Sequence, residues 1–478
     1  MADIQCMMHQ AGKISRNRPA LIAEDIRIQY GELDLMVSAT AALLRTVGIG
    51  KGDRVAVYME SGWAYATLIF ALMRVGAIVC PISTRLPLQG VKEQLAFIDG
   101  TTLIARVSES SREALSDILC LDPDGLVSRQ LSSGQAADSF DMPLDQPASI
   151  VFTSASSGRP KAVLQTYGNH YYSAYGASLN VRLRSDDCWL LSLPLYHVGG
   201  LGILFRCVQT GAAVAVMTPS DSLDQALPKF PVTHLSVVPT QLRRLIAQDV
   251  PAEVRKRLKA VLVGGSGVSA ELLEAARAAG YPVIPSYGLS EMNSQVTACT
   301  PFGPREKANT AGKVLRHREV RIAEDGEIQV KGQTLFSGYV EQGRVDLPVD
   351  EDGWFSTGDL GRLDEDGYLT VSGRKDSMFV SGGENIYPEE IEQVMLGMDG
   401  VHQAVVVPVP SEEYGARPVA FLDRSGSVTD DALRKQLQGM LPKFKIPDAF
   451  YPWPEEDRAR GAMKPERFWF REQAEKRR

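Results

Sequence analysis

Short apolar runs alternate with stretches of helical length along the first 300 residues. Arg54–Tyr58 reads as a strand, Ala64–Val75 as a buried helix feeding a strand at Ala77–Val79, and Tyr30-Gly31-Glu32-Leu33 opens another helical pattern. The rhythm returns at Ser149–Phe152, Cys188–Leu193, Ala212–Met217, Leu235–Val238, Lys259–Val263 and Pro282–Pro285, each followed by Gly, Pro or Ser and then a helical pattern. Such alternation predicts a mostly parallel sheet with helices on its faces. Beyond residue 310 the texture changes: Glu319–Ile322, Gly326–Val330 and Tyr368–Val371 are short runs separated by Asp-Gly turns, which predicts antiparallel structure. A small α/β unit closes the chain, with helices at Pro388–Leu396 and Asp430–Leu441 and strands at Ala404–Val407 and Pro418–Leu422.

One stretch is apolar enough to raise a membrane question. Cys188–Phe205 carries no charge, and Arg206 is the sole charge before Ser220. A spanning helix needs about 20 apolar residues. Pro194, His197, Gly199, Gly200 and Gly202 interrupt this run, which therefore reads as a buried strand, a turn and a buried helix.

Composition narrows the class. The chain has 478 residues, enough for two to four units at roughly 100 to 200 residues each. With 51 Lys and Arg against 58 Asp and Glu, the net charge of -7 argues against a nucleic-acid or anionic-membrane binder. The six cysteines never form a CxxC pair, which points to reduced thiols and a cytoplasmic protein. The N-terminal segment MADIQCMMHQ lacks the apolar core of a secretory signal.

Candidate chemistry sits in loops after strands. Thr153-Ser154-Ala155-Ser156-Ser157-Gly158-Arg159-Pro160-Lys161 supplies hydroxyls, backbone amides and a lysine on an expected strand-to-helix loop, a set that can surround a polyphosphate. It lacks Walker A spacing, and a plain surface turn is the alternative. Gly264-Gly265-Ser266-Gly267-Val268-Ser269-Ala270 imitates a dinucleotide fingerprint, yet the next strand ends without the ribose-binding carboxylate that a nicotinamide site requires. Further motifs follow at Leu193-Pro194-Leu195-Tyr196-His197, Ser286-Tyr287-Gly288-Leu289-Ser290-Glu291, Trp354-Phe355-Ser356-Thr357-Gly358-Asp359 and Gly373-Arg374-Lys375-Asp376.

Taken together and in order, these motifs resemble the adenylate-forming superfamily of acyl-CoA synthetases, luciferases and peptide-synthetase adenylation domains, across residues 150 to 464. The resemblance implies an α/β fold in which a large N-terminal domain of stacked α/β subdomains plus a small β-barrel-like part, residues 1–375, precedes a small mobile C-terminal α+β domain, residues 376–478, hinged at Asp376. It implies ATP and Mg2+ as cofactors. Thr153, Ser154, Ser156, Ser157, Gly158 and Lys161 would hold the triphosphate, Ser290 would touch a phosphate, and Glu291 would bind the metal. Tyr287 would stack on adenine with Gly265, Ser266, Ser286 and Gly288 around it, while Asp359 and Arg374 would engage the ribose. Lys464, in Gly461-Ala462-Met463-Lys464, takes the place of the catalytic lysine, displaced by two residues from the usual Gly-Lys pair. Ala155 and Ala162 stand where the family often has glycine and would stiffen the phosphate loop. Gly382 and Gly383 would line the passage for the phosphopantetheine arm of CoA or of a carrier protein.

Within the superfamily, Leu193–Arg206, Val237–Leu245 and the Gly461–Lys464 ending resemble the ligases that join o-succinylbenzoate to CoA in menaquinone biosynthesis. That resemblance places His197 beside the acyl group. Arg206 then has two open readings: it pairs with a substrate carboxylate, or it bonds backbone carbonyls or a protein carboxylate. A ligase for an aryl, medium-chain or fatty acid, an enzyme loading a carrier protein, and a non-enzymatic binder of the same fold are the alternatives. The expected partners are a small carboxylate, ATP and CoA, with no nucleic acid, no stable membrane insertion, and a homodimer as the family-level assembly.

Overall fold

The computed structural model describes residues 3–108, 112, 115–127, 140–153, 161–301, 303–454 and 467–477. Two large sheets form the body. The first orders its strands Arg344–Asp346, Gly338–Glu341, Lys161–Thr166, Pro147–Thr153, Ile78–Pro81, Arg54–Tyr58, Thr102–Ala105 and Leu119–Leu121. The second runs Lys313–Val314, Ser294–Ala298, Val283–Leu289, Ala260–Val263, His234–Val237, Cys188–Leu190, Ala213–Ala215, Pro19–Ala23 and Ile26–Gln29. The nine-stranded sheet has a parallel centre and antiparallel edges, whereas the eight-stranded sheet is parallel from Pro147–Thr153 through Leu119–Leu121 and antiparallel on the other side. A parallel centre needs cover on both faces. The largest core supplies it on the shared side, packing helices Met7–Ile14, Tyr30–Thr46, Trp63–Val75, Tyr167–Val181 and Val198–Thr210 between strand residues of both sheets, such as Val55 and Val79 on one and Trp189 and Leu262 on the other.

Trp63–Val75 shows why the middle layer is helical. Apart from Thr67 and the paired Arg74 it is apolar on every face, and it is buried from Tyr65 to Val75, as a helix between two sheets must be. It stops at Gly76, whose φ of +83° lets the Gly76 and Ala77 amides cap the carbonyls of Met73 and Leu72. No helix among the described residues is long and apolar enough to cross a membrane.

A four-stranded antiparallel sheet, Arg318–Ile322, Glu327–Gly332, Phe355–Leu363 and Leu369–Arg374, forms the smaller β part of the body. The C-terminal unit places helices on both faces of the three strands Val401–Ser411, Gly415–Arg424 and Phe450–Pro452. Residues alternate between its two cores: Val406 and Ala420 meet Pro388–Leu396 and Asp430–Met440, whereas Val405, Val407 and Phe421 meet Trp469 and Phe470.

Two expectations change. The segment Thr153–Lys161 joins two strands rather than a strand and a helix, because Lys161–Thr166 returns antiparallel on Pro147–Thr153 with Lys161 opposite Thr153. Ala162 belongs to the returning strand and is fully buried, so its methyl group fills the core instead of stiffening the loop. Likewise the strand expected to end at Pro285 continues to Leu289 and folds back into Ser294–Ala298.

The three N-terminal helices share one carboxylate. Asp34 is buried and accepts hydrogen bonds from His9 Nδ1 at 2.8 Å and Arg74 Nη2 at 2.6 Å, and a Cβ on Gly12 would lie 2.6 Å from the Asp34 Cβ. Removing one member of a buried pair leaves the other uncompensated, at a cost of about 3–5 kcal/mol. Asp34→Ala is therefore expected to lower the midpoint of urea unfolding substantially; an unchanged midpoint would show that water reaches Arg74.

Candidate active site

Several of the residues singled out in the sequence meet where the nine-stranded sheet, the four-stranded sheet and the strand Lys161–Thr166 come together. Asp359 and Arg374 are direct cross-strand partners in the four-stranded sheet. Arg374 Nη1 donates to Asp359 Oδ1 at 3.2 Å, and Tyr287 Oη donates to Asp359 Oδ2 at 2.7 Å. Burial and then the Asp359 charge raise the Tyr287 phenol well above its ordinary pKa, so it stays a donor. Arg374 also grips Asp376 with two bonds of 3.0 Å, and these hydrogen bonds raise its pKa. The turn before Asp359 is braced: the Gly358 amide donates to Glu327 at 2.9 Å, and Lys375 holds both Glu327 and Asp325.

The glycine turn after Ala260–Val263 lies beside this cluster, at the carboxyl ends of parallel strands, where open α/β sheets form ligand crevices. Gly265 has φ of +85°, Ser266 is exposed, and Ser286 Oγ donates to the Val263 carbonyl at 3.2 Å. Gly288 is dictated by packing, since a Cβ there would lie 2.0 Å from the Ser294 carbonyl oxygen. The Ser290 carbonyl accepts from Gln165 at 2.6 Å. Glu291 Oε1 accepts from Tyr339 Oη at 2.7 Å, and Lys161 Nζ stands 4.6 Å from the centroid of the same ring. Thr153 Oγ1 donates to the Lys161 carbonyl at 3.5 Å. Ser154, Ser156, Ser157, Gly158 and Lys464 lie outside the described residues.

His197 caps the helix Val198–Thr210 in extended backbone geometry, its ring 4.7 Å from that of Tyr196. Nine residues further on, about two and a half helical turns, Arg206 is 2% exposed, lies 5.0 Å from the Trp189 ring and donates to Ser294 Oγ at 3.4 Å. Its Nε and Nη1 have no hydrogen-bond partner and it makes no carboxylate ion pair among the described residues. Among the described residues, no backbone carbonyl or protein carboxylate satisfies it, and the choice between the two readings of Arg206 stays open. Burial lowers its pKa to about 10. Arg318 lies within its field: burial, and then the Arg206 charge, lower the Arg318 pKa to about 9, and its bonds go to Ser173 and the Arg316 carbonyl. Asn293 Nδ2 and both amide atoms of Gln295 are also buried without partners. Asn293 and Ser294 have φ of +52° and +95°, conformations that cost of order 1–3 kcal/mol each. The arrangement is a buried, cationic and strained group in which Arg206 Nε and Nη1, Asn293 Nδ2 and the Gln295 amide are left unpartnered.

Gly382 and Gly383 form the turn between Phe379–Ser381 and Glu384–Ile386, with φ of +59° and +88°. The Gly382 amide donates to the Tyr414 carbonyl at 2.9 Å, so the turn is held by its own unit; no hydrogen bond, ion pair or ring contact among the described residues brings it to Tyr287 or Glu291. A separate open cavity of about 660 Å³, lined by Arg54, Asp99, Asp117 and Leu119, shares no residue with the cluster.

Sequence reasoning missed Tyr339 and Arg318. Neither stands in a local motif; Tyr339 reaches the cluster because Gly338–Glu341 adds antiparallel to Lys161–Thr166, and Arg318 because its strand passes the helix Tyr167–Val181 at Gly176.

Comparison with known proteins gives a consistent picture. The AMP-binding enzyme family matches residues 8–340 and the AMP-binding enzyme C-terminal domain matches residues 390–460. A 2-succinylbenzoate–CoA ligase of Bacillus cereus is 34% identical over 450 residues, 92% of each chain. The structure of o-succinylbenzoate CoA synthetase (MenE) from Bacillus subtilis in complex with the acyl-adenylate intermediate OSB-AMP matches with a TM-score of 0.88 at 30% identity, covering 98% of both chains. The same Bacillus subtilis enzyme in complex with ATP and magnesium ion matches with a TM-score of 0.84 at 30% identity, covering 94% of this chain and 96% of that one.

The unpaired guanidinium makes a stability prediction independent of activity. Exchanging a buried charge for an apolar side chain of similar volume is neutral or stabilising by about 1–4 kcal/mol. Arg206→Met is expected to keep or raise the midpoint of thermal unfolding of the ligand-free protein; a clear fall would show that the charge has a stabilising partner.

Proposed function

The chain belongs to the AMP-binding enzymes, and from that premise we propose that it ligates o-succinylbenzoate to CoA in menaquinone biosynthesis, by way of an acyl adenylate. In the first half-reaction a carboxylate oxygen attacks the α-phosphorus of ATP and pyrophosphate leaves. In the second, the CoA thiol attacks the acyl carbon, AMP leaves, and the thioester remains. The observation that carries the choice of acid is the buried Arg206 with its unfilled donors. A dicarboxylate brings one carboxylate to be activated and a second to meet that charge. A fatty acid would leave the guanidinium buried and unpaired, and an amino acid would bring its ammonium group towards two arginines. His170 and His234 sit in the same region with pKa values lowered by burial to about 3 and 4, so both are neutral near pH 7 and the arginines supply the charge.

In this reading Asp359, already oriented by Tyr287 and Arg374, accepts the ribose hydroxyls, and Gly265, Ser266 and Ser286 border the adenine. Tyr287, 9% exposed and held by Asp359, stacks on the adenine from a fixed position in the pocket wall. Thr153 and Lys161, with Ser154, Ser156, Ser157 and Gly158 between them, surround the triphosphate. Glu291 offers Mg2+ a hard oxygen ligand beside a phosphate-binding lysine; among the described residues no three acidic, His or Cys side chains gather, which suits a metal held mainly by phosphates. Bound there, Mg2+ would supply charge neutralisation for the departing pyrophosphate. His197 at the helix start borders the acyl group, and Arg206 lies deeper for its second carboxylate.

Lys464 is read as the cation that offsets charge at the α-phosphorus. It lies three residues before Arg467, which is fixed to Glu389 at 2.9 Å and to Glu392 within the C-terminal unit. Gly382 and Gly383, on the same unit, leave room for the pantetheine arm. Asp376 is the hinge between 1–375 and 376–478. A cytoplasmic location fits six unpaired thiols, and a homodimer belongs to the reading on family resemblance.

Pyrophosphate exchange against a panel of acids tests the substrate. Exchange should be fastest with o-succinylbenzoate and fall at least tenfold with matched monocarboxylates; preference for a long-chain acid would remove the assignment. Lys464→Ala should abolish exchange yet still convert supplied o-succinylbenzoyl adenylate and CoA to product. Retained exchange would assign the role to a different lysine.

A further inference from the structure

Two groups given separate tasks above, Lys161 at the phosphate loop and Glu291 at the metal, touch the same side chain. We propose that Tyr339 is a positioning residue that couples them, its ring face holding the lysine and its hydroxyl orienting the carboxylate. The inference rests on the nucleotide reading of this site and goes beyond it.

The geometry is overdetermined. Tyr339 stands opposite Val163 on the strand paired with Lys161–Thr166, so its ring is placed by the strand that carries the lysine. Phe336, whose ring centroid is 4.8 Å from that of Tyr339, donates its amide to the Glu291 carbonyl at 2.7 Å and so fixes the backbone on the carboxylate side. Lys161 Nζ at 4.6 Å from the centroid is within range of the ring quadrupole. The phenol bond of 2.7 Å engages Oε1 of Glu291, and Oε2 carries no hydrogen bond among the described residues. A carboxylate held by one oxygen presents the other in a fixed direction, which favours a cation that demands strict octahedral geometry.

Ring and hydroxyl have separable consequences. Calorimetric Kd values for ATP, with Mg2+ and in EDTA, are compared for the wild type, Tyr339→Phe and Tyr339→Leu, with AMP as a ligand that avoids the β- and γ-phosphate region. Tyr339→Phe keeps the ring, so metal-free ATP binding should stay within about twofold while the gain in affinity from Mg2+ shrinks by roughly tenfold. Tyr339→Leu should lose that gain and also weaken metal-free ATP by about threefold. AMP should bind all three alike, which establishes that the variants are folded. A wild-type Mg2+ effect in Tyr339→Phe, or identical behaviour of the two variants, overturns the coupling. A wild type that binds no ATP overturns the nucleotide reading itself, and the coupling with it.

Discussion

The carboxylate of Asp359, held by a phenol on one oxygen and a guanidinium on the other, is the joint on which the rest of the site depends. Tyr287 comes from the nine-stranded sheet, Asp359 and Arg374 from the four-stranded one, and Arg374 reaches on to Asp376 at the border of the C-terminal unit. Its value is geometric rather than energetic. Arg374 is 43% exposed, and partly exposed ion pairs contribute about 0–1 kcal/mol. Ligand hydroxyls can therefore join this hydrogen-bond set at little cost to the fold. The stiffness comes from behind, where Glu327 and Lys375 fix the turn at Gly358, whose φ of +73° lets the Arg374 guanidinium lie across it.

Elements whose identity is written in local pattern were legible in the sequence. Arg54–Tyr58 and Pro388–Leu396 occupy the bounds that their apolar spacing and the Pro-Glu-Glu start predict. Pairing partners were not. Nothing in Ile150-Val151-Phe152 states whether the next element is a helix or a returning strand, because periodicity reports which face is buried and not what covers it. The strand Phe355–Leu363 escaped notice for a related reason: Gly358, Asp359 and Gly361 interrupt its apolar alternation, and Gly361 is needed there because a Cβ would lie 2.7 Å from the Thr370 carbonyl oxygen. The site residues found by motif share this limit. Asp359 and Arg374 could be named, but that they oppose one another in register, and that Tyr339 bridges Lys161 and Glu291, are facts of strand addition.

The cationic pocket is the opposite kind of feature from the Asp34 network. In both, a buried arginine meets polar neighbours, yet Arg74 has a carboxylate at 2.6 Å and Arg206 has a hydroxyl at 3.4 Å. One arrangement is complete within the protein and ties helices together. The other concentrates two guanidiniums, unfilled amides and two residues at positive φ in one place. Unpartnered buried polar groups are uncommon in folded proteins and backbone strain of this kind clusters at functional sites, which sets this region apart from the Asp34 network.

The C-terminal unit is braced within itself. The Gly382–Gly383 turn and Arg467 both belong to the C-terminal unit: Arg417 ties Ser381 to the carbonyls of Phe444 and Ile446, and Arg467 is locked to Glu389 and Glu392. Neither attachment involves the nucleotide cluster. Asp376, gripped by Arg374 with two bonds of 3.0 Å, ties the Asp359 joint to the residues that lead into that unit.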